Sequence, residues 1–121
     1  MGSILLERYT AMVLRTGDQP PDLTDEERLR LQDGHLSHIA DLHEAGQILT
    51  TGALFETDPS YRGLVIFRTD QATAGQLMAD DPMVKAGEFR FETHSWLMPA
   101  DVIVPGQGRI PRSVAEIAGL A

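Results

Sequence analysis

Residues 24–46 read TDEERLRLQDGHLSHIADLHEAG, and the fold turns on how this stretch is read. Thr24 followed three residues later by Glu27 is a capping box, in which two otherwise unpaired N–H groups at a helix start are satisfied reciprocally. Asp25, Glu26 and Glu27 place negative charge at the positive end of the helix dipole. Gly46 supplies the stop. At about 100° per residue, Leu29, Leu31, Leu36, Ile39, Ala40 and Leu42 fall in one wide arc. Glu26, Arg30, Asp33, Ser37, Asp41 and Glu44 fall on the other. The stretch is therefore a long amphipathic helix that must lie on something apolar. Gly34 sits inside it at a cost of roughly 1 kcal/mol relative to Ala, so it marks either a kink or the close approach of another segment.

The flanking sequence supplies the apolar layer. YTAMVLRT (9–16) is rich in strand formers, with apolar residues at both parities, and TGDQPPD then gives a loop. ILTTGALF (48–55) and GLVIFRTD (63–70) read as strands, separated by the loop ETDPSYRG. QATAGQLMAD (71–80) is short and helical in character, DPMVKAG follows, and EFRFETHSWLM (88–98) is a last strand. The order strand, helix, strand, strand, helix, strand is the ferredoxin-like βαββαβ arrangement, an α+β fold with a four-stranded antiparallel sheet and two helices on one face. Two helices cover only one face of that sheet, yet Met12, Val13, Leu14, Leu64, Val65, Ile66 and Phe67 supply apolar groups to both. The second face calls for a partner, most simply a second copy, and a homodimer is expected. Residues 1–98 form the expected domain and 99–121 an extension. In the extension DVIVP could add to a sheet edge. Ser113 and Glu116 suggest a second capping box, with Gly119 as a stop, for a short helix that either packs on the neighbouring subunit or frays.

The totals narrow the function classes. A chain of 121 residues fits one domain with one modest core. Its formal charge is −8, from nine Arg, one Lys and 18 acids, and it has no basic run, so nucleic acid is a disfavoured partner. The absence of Cys removes disulfides, thiolate zinc sites and cysteine nucleophiles, and fits a cytoplasmic protein. Glu7, Arg8 and Arg15 interrupt the N-terminal apolar residues, so neither a signal peptide nor a membrane span is expected.

Four histidines are the first candidates for chemistry. His35 lies within the apolar arc, His43 also falls inside it, and His38 lies at its margin. A histidine in such an arc is more often a satisfied core or rim residue than a catalyst. The spacing His35-x2-His38 would let both rings meet one metal ion, but the local pattern places no third ligand, so no metal is expected. Asp81 has two readings. Asp before Pro is pushed out of helical geometry, Asp is a preferred N-cap, and Pro is favoured at the first helical position. DPMVKAG is then simply Asp81 capping a helical turn that ends at Gly87. Alternatively the carboxylate orients a distant histidine, fixes its tautomer and stabilises the imidazolium. Its two oxygens allow both jobs at once.

The run GHLSHIADLHEAGQILTTGAL, followed by GLVIFRTD and ADDPMVKAGEF, resembles the YCII-related (YciI-like) family over roughly residues 9–97. The shared pattern is a His near the middle of the first helix, a Gly ending it, a Gly-Pro, and an Asp-Pro followed by an aromatic residue and a Lys-Ala-Gly-like run. The resemblance implies a dimeric α/β barrel of ferredoxin-like subunits with a His–Asp active-site pair, carried here by His35 and Asp81. Gly46 and Gly52 match the two glycine positions. Three positions depart from the pattern. Gln32-Asp33-Gly34-His35 stands where members often carry Arg-Pro-x-His, Ala53 replaces the proline of Gly-Pro, and Met83 replaces the aromatic after Asp-Pro. Gly52 and His94 are the candidate substrate-binding residues, and His94 points either into the pocket or into solvent.

The leading expectation is a small cytoplasmic enzyme doing cofactor-free general acid–base chemistry on a small organic molecule, with His35 moving the proton and Asp81 orienting it. No GxSxG or oxyanion-hole signature favours hydrolysis. The alternative is a non-catalytic dimeric module that binds a small molecule or a protein. A monooxygenase on the same barrel, cofactor-free or haem-associated, ranks behind both.

Overall fold

The structure, a computed structural model, describes residues 2–120. Its elements run β1 (Leu6–Thr16), α1 (Asp25–Glu44), β2 (Ile48–Ala53), β3 (Tyr61–Phe67), α2 (Gln71–Ala79), α3 (Pro82–Lys85) and β4 (Phe89–Pro99), with a 3₁₀ turn at Val114–Glu116. The strands form one antiparallel sheet in the order β2-β3-β1-β4, so the ferredoxin-like α+β arrangement expected from the sequence is the fold.

Local chemistry sets the boundaries. Thr24 and Glu27 form the full capping box of α1, and Gly46 follows the helix with φ +78°, in the left-handed region that favours glycine. β3 stops at Phe67 rather than at residue 70 because Asp70 turns its carboxylate onto the Thr73 N–H (2.8 Å) and caps α2. Gly17 lies against the turn that ends α3. Its N–H donates to the Glu88 carbonyl at 2.9 Å, and a Cβ built on it would stand 2.0 Å from the Gly87 carbonyl oxygen.

The core lies between helices and sheet. Met12 and Leu14 of β1, Val65 and Phe67 of β3, and Phe89 of β4 face Ile39 and Leu42 of α1, Met78 of α2 and Met83 of α3. One member of the expected apolar arc does not join them. Leu29 is 48% exposed, because Arg28 occupies the inward side of the first turns and pairs with the buried Glu88.

Odd-numbered residues of β1 face the other side. There Tyr9, Leu49, Ile66 and Met98 form a second, smaller cluster, with Ala11 and Ile103 against it. Residues 101–103 do not extend the sheet edge. The chain turns at Asp101 (φ 62°) and folds Ile103 over this helix-free face. The expected Ser113 capping box is also absent. Glu116 instead accepts from the Arg112 N–H (2.6 Å) and the Arg109 guanidinium (2.9 Å), which holds its carboxyl below the usual carboxylate range.

Candidate active site

The site begins with a missing side chain. A Cβ built on Gly34 would lie 3.0 Å from Pro82 Cγ and 3.4 Å from Pro82 Cβ. The bare glycine therefore lets the Pro82 ring seat against α1. That contact brings the residue before Pro82 to the residue after Gly34. Asp81 Oδ2 lies 2.7 Å from His35 Nδ1, while Asp81 Oδ1 accepts the Met83 N–H at 2.9 Å. One fully buried carboxylate thus caps α3 and binds the imidazole. The two sequence readings of Asp81 are not alternatives.

The contact fits an Nδ1–H donated to the Asp81 carboxylate, the tautomer of the neutral imidazole whose lone pair is on Nε2. The Phe89 ring meets the imidazole edge to face, with centroids 5.4 Å apart at 88°, and closes its other side. The His35 side chain is 18% exposed and lines a cavity of about 660 Å³. A buried carboxylate behind a partly open imidazole is an arrangement able to accept a proton and stabilise the resulting imidazolium.

Three surfaces wall the cavity. His35, Leu36 and Ile39 come from α1, and Thr51, Gly52 and Arg62 from the β2–β3 hairpin. Ile110, Pro111, Val114 and Ile117 come from the C-terminal segment. That segment is held by the polar stripe of α1. Arg112 pairs with Asp41 and Glu44 (each 2.8 Å), Ser37 Oγ donates to the Arg112 carbonyl (2.9 Å), and Asp33 accepts the Val114 N–H (2.8 Å). The Asp41 and Glu44 carboxylates hold the Arg112 guanidinium above its ordinary pKa. The side of α1 that reads as solvent-facing therefore carries a strap from the chain's own tail.

The structure places His35 and Gly52 on the wall of one cavity, with Asp81 buried behind the imidazole, and Ala53 and Met83, two of the departures from the family pattern, line the cavity as well. His94 is not brought there. Phe89 and Phe91 face the helices, and Thr93 accepts hydrogen bonds from Gln71 of α2, so His94 falls on the opposite parity. It pairs with Ala11 on the helix-free face and is exposed, which corrects its expected place among the substrate-binding residues of this cavity. His38 Nε2 donates to the Leu77 carbonyl at 2.9 Å and ties α1 to α2. Among the described residues no three His, Cys, Asp or Glu side chains are grouped to hold a metal ion. Arg62, Phe89 and the strap escaped the sequence reading. The one available signal was the polar spacing of α1, which in isolation indicates only a solvated face.

Fold and site together define a ferredoxin-like α+β protein with a histidine–aspartate pair at the wall of a cavity between its long helix and the β2–β3 hairpin. The model of the YCII-related domain matches residues 8–93, from β1 into β4, and the chain belongs to that family. No curated protein matches the chain. No helix among the described residues is long and apolar enough to cross a membrane.

Proposed function

We propose that the protein is a small cytoplasmic enzyme that moves a proton on a small organic molecule held in this cavity, without a cofactor. His35 Nε2 takes the proton from an acidic carbon or hydroxyl. The C–H or O–H bond breaks, an N–H bond forms, and the electron pair stays on the substrate as an enolate or phenolate. Asp81 keeps Nδ1 protonated and stabilises the imidazolium. Return of the proton to a different atom gives an isomer, and loss of a β-substituent gives an elimination product. The observation that supports this reading is the 2.7 Å contact between Asp81 and His35 Nδ1, with the ring on the cavity wall. A positioned acid–base group contributes about 10²–10⁴ in rate, and the cavity walls supply positioning.

The reading includes a homodimer paired through the helix-free sheet face, where Leu64 and Trp96 remain 36% and 41% exposed. Sedimentation at micromolar concentration tests that part, and a monomer overturns it.

The chemistry is tested by incubating the protein in D₂O with carbonyl compounds that have an acidic α-carbon, and following deuterium incorporation by NMR. Exchange is expected, with His35→Gln and Asp81→Asn each slowing it by about 10²-fold or more. A compound processed at full rate by both variants overturns the pair's role. Ligand binding without exchange across the panel would make the protein a binding module.

A further inference from the structure

We propose that the cavity takes a small organic anion, an apolar ring or chain bearing a carboxylate, and that Arg62 is the residue that binds the charge. The chain has 18 acids against ten Arg and Lys, yet no Asp or Glu is among the residues lining the cavity. The charged residues on its wall are Arg62 and Arg109. Arg109 pairs with Glu116 at 2.9 Å and is mostly exposed, so Arg62 is the cation of the interior.

Arg62 also keeps charge to offer. Its neighbouring carboxylate, Glu88, is buried and bonded through Oε1 to Arg28, while Arg62 Nη1 stands 4.0 Å from the same oxygen. Two guanidinium groups on one carboxylate leave one positive charge over, and of the two only Arg62 lines the cavity. Its remaining polar contact is a 3.4 Å hydrogen bond from Nη1 to Thr16 Oγ1, so the Nε and Nη2 edge of the fork has no protein partner among the described residues. That edge matches a carboxylate in a bidentate manner.

Phe89 relates the cation to the base. The Arg62 Cζ lies 5.0 Å from the Phe89 ring centroid, and the His35 ring centroid lies 5.4 Å from the same point. Cation and imidazole therefore both pack on one phenyl ring of the cavity, and a ligand seated beside that ring has both groups at its edge. Its body meets Leu36, Ile39 and Ile110, which reward apolar surface. A carboxylate on Arg62 directs an adjacent acidic C–H to His35 Nε2, and the guanidinium lies near the charge that develops as the proton leaves. This orientation rests on the acid–base reading of His35, whereas the preference for an anion does not.

The test compares benzoate with benzamide, which share a shape and differ in charge, by titration calorimetry and backbone amide shifts. Benzoate is expected to bind the wild-type protein about tenfold more tightly, the scale of one charge-assisted contact, with shifts at Phe89 and Gly63. Added salt narrows the difference. Arg62→Gln, checked for folding by circular dichroism, removes the preference, Arg62→Lys retains part of it, and His35→Gln leaves it in place. Equal affinity for the two probes, or no detectable binding of either, overturns the inference, as does an Arg62→Gln protein that still prefers benzoate. Failure of the acid–base reading looks different: deuterium exchange is missing while the benzoate preference persists.

Discussion

Gly34→Ala sets two effects of opposite sign against each other. In an unencumbered helix interior this change stabilises by about 1 kcal/mol, because glycine loses more backbone entropy on folding. Here the added methyl carbon would stand 3.0 Å from Pro82 Cγ, so the proline ring must retreat by a few tenths of an ångström. Pro82 belongs to a turn whose backbone is tied through Asp81 Oδ1 to Met83 and whose Met83 side chain is fully packed, and such overpacking costs about 1–3 kcal/mol. The steric term wins, and the net result is a loss of about 0–2 kcal/mol. The same retreat lengthens the 2.7 Å Asp81–His35 contact toward about 3 Å, close to the long end of a good hydrogen bond. Urea denaturation reads the stability, and the His35 ring proton shifts read the contact. A variant stabilised by the full helix-propensity gain, with His35 resonances unmoved, would show that the proline seat does not position Asp81.

Gly17→Ala is expected to be far worse, since its Cβ meets a backbone carbonyl oxygen at 2.0 Å. A loss of at least about 3 kcal/mol in denaturant midpoint analysis, or failure to fold, is the outcome, and a near-wild-type midpoint contradicts the close backbone packing. Asp70 has its pKa lowered by hydrogen bonds from Thr73, so its contribution to stability is present above the unfolded value of 3.8 and is lost as pH falls through the lower folded value. Asp70→Asn caps as well but does not titrate, so thermal melts should show similar stability near neutrality and a shallower decline in acid; an unchanged acid slope rules the linkage out. Arg112→Gln removes the paired contacts to Asp41 and Glu44, which are exposed and screened by solvent, and should speed proteolysis between residues 105 and 113 with little change in global stability. Equal cleavage rates would mean that the bonds from Ser37 and Asp33 and the packing of Ile110 hold the tail without the ion pairs.

What the sequence disclosed and what it withheld divide by the range of the interaction. The α1 capping box, the Asp-Pro cap and the glycine stops are local, and each acts where its residues stand in the chain. Gly34 was legible as an anomaly because its cost is local, although its partner, Pro82, is 48 residues away and fold-dependent. Arg28 reads as one more charge in an acidic first turn, and only the fold delivers Glu88 to it and turns Leu29 outward. The stripe Asp33, Ser37, Asp41 and Glu44 has the periodicity of a solvated face, and periodicity is blind to a strap arriving from residue 112. The direction of His94 depends on the phase of β4, since a shift of one residue reverses every side chain of a strand. Phe89, packed against Met83 and His35, sets that phase and turns His94 away.

The central claim is that Asp81 holds a proton on His35 Nδ1 and leaves Nε2 as the base at the cavity wall. Long-range ¹H–¹⁵N correlation spectra of the neutral imidazole report which ring nitrogen carries the proton. In the wild-type protein the proton should reside on Nδ1, and Asp81→Asn should perturb that state while leaving the fold intact. A proton on Nε2, or His35 spectra identical in the two proteins, would contradict it.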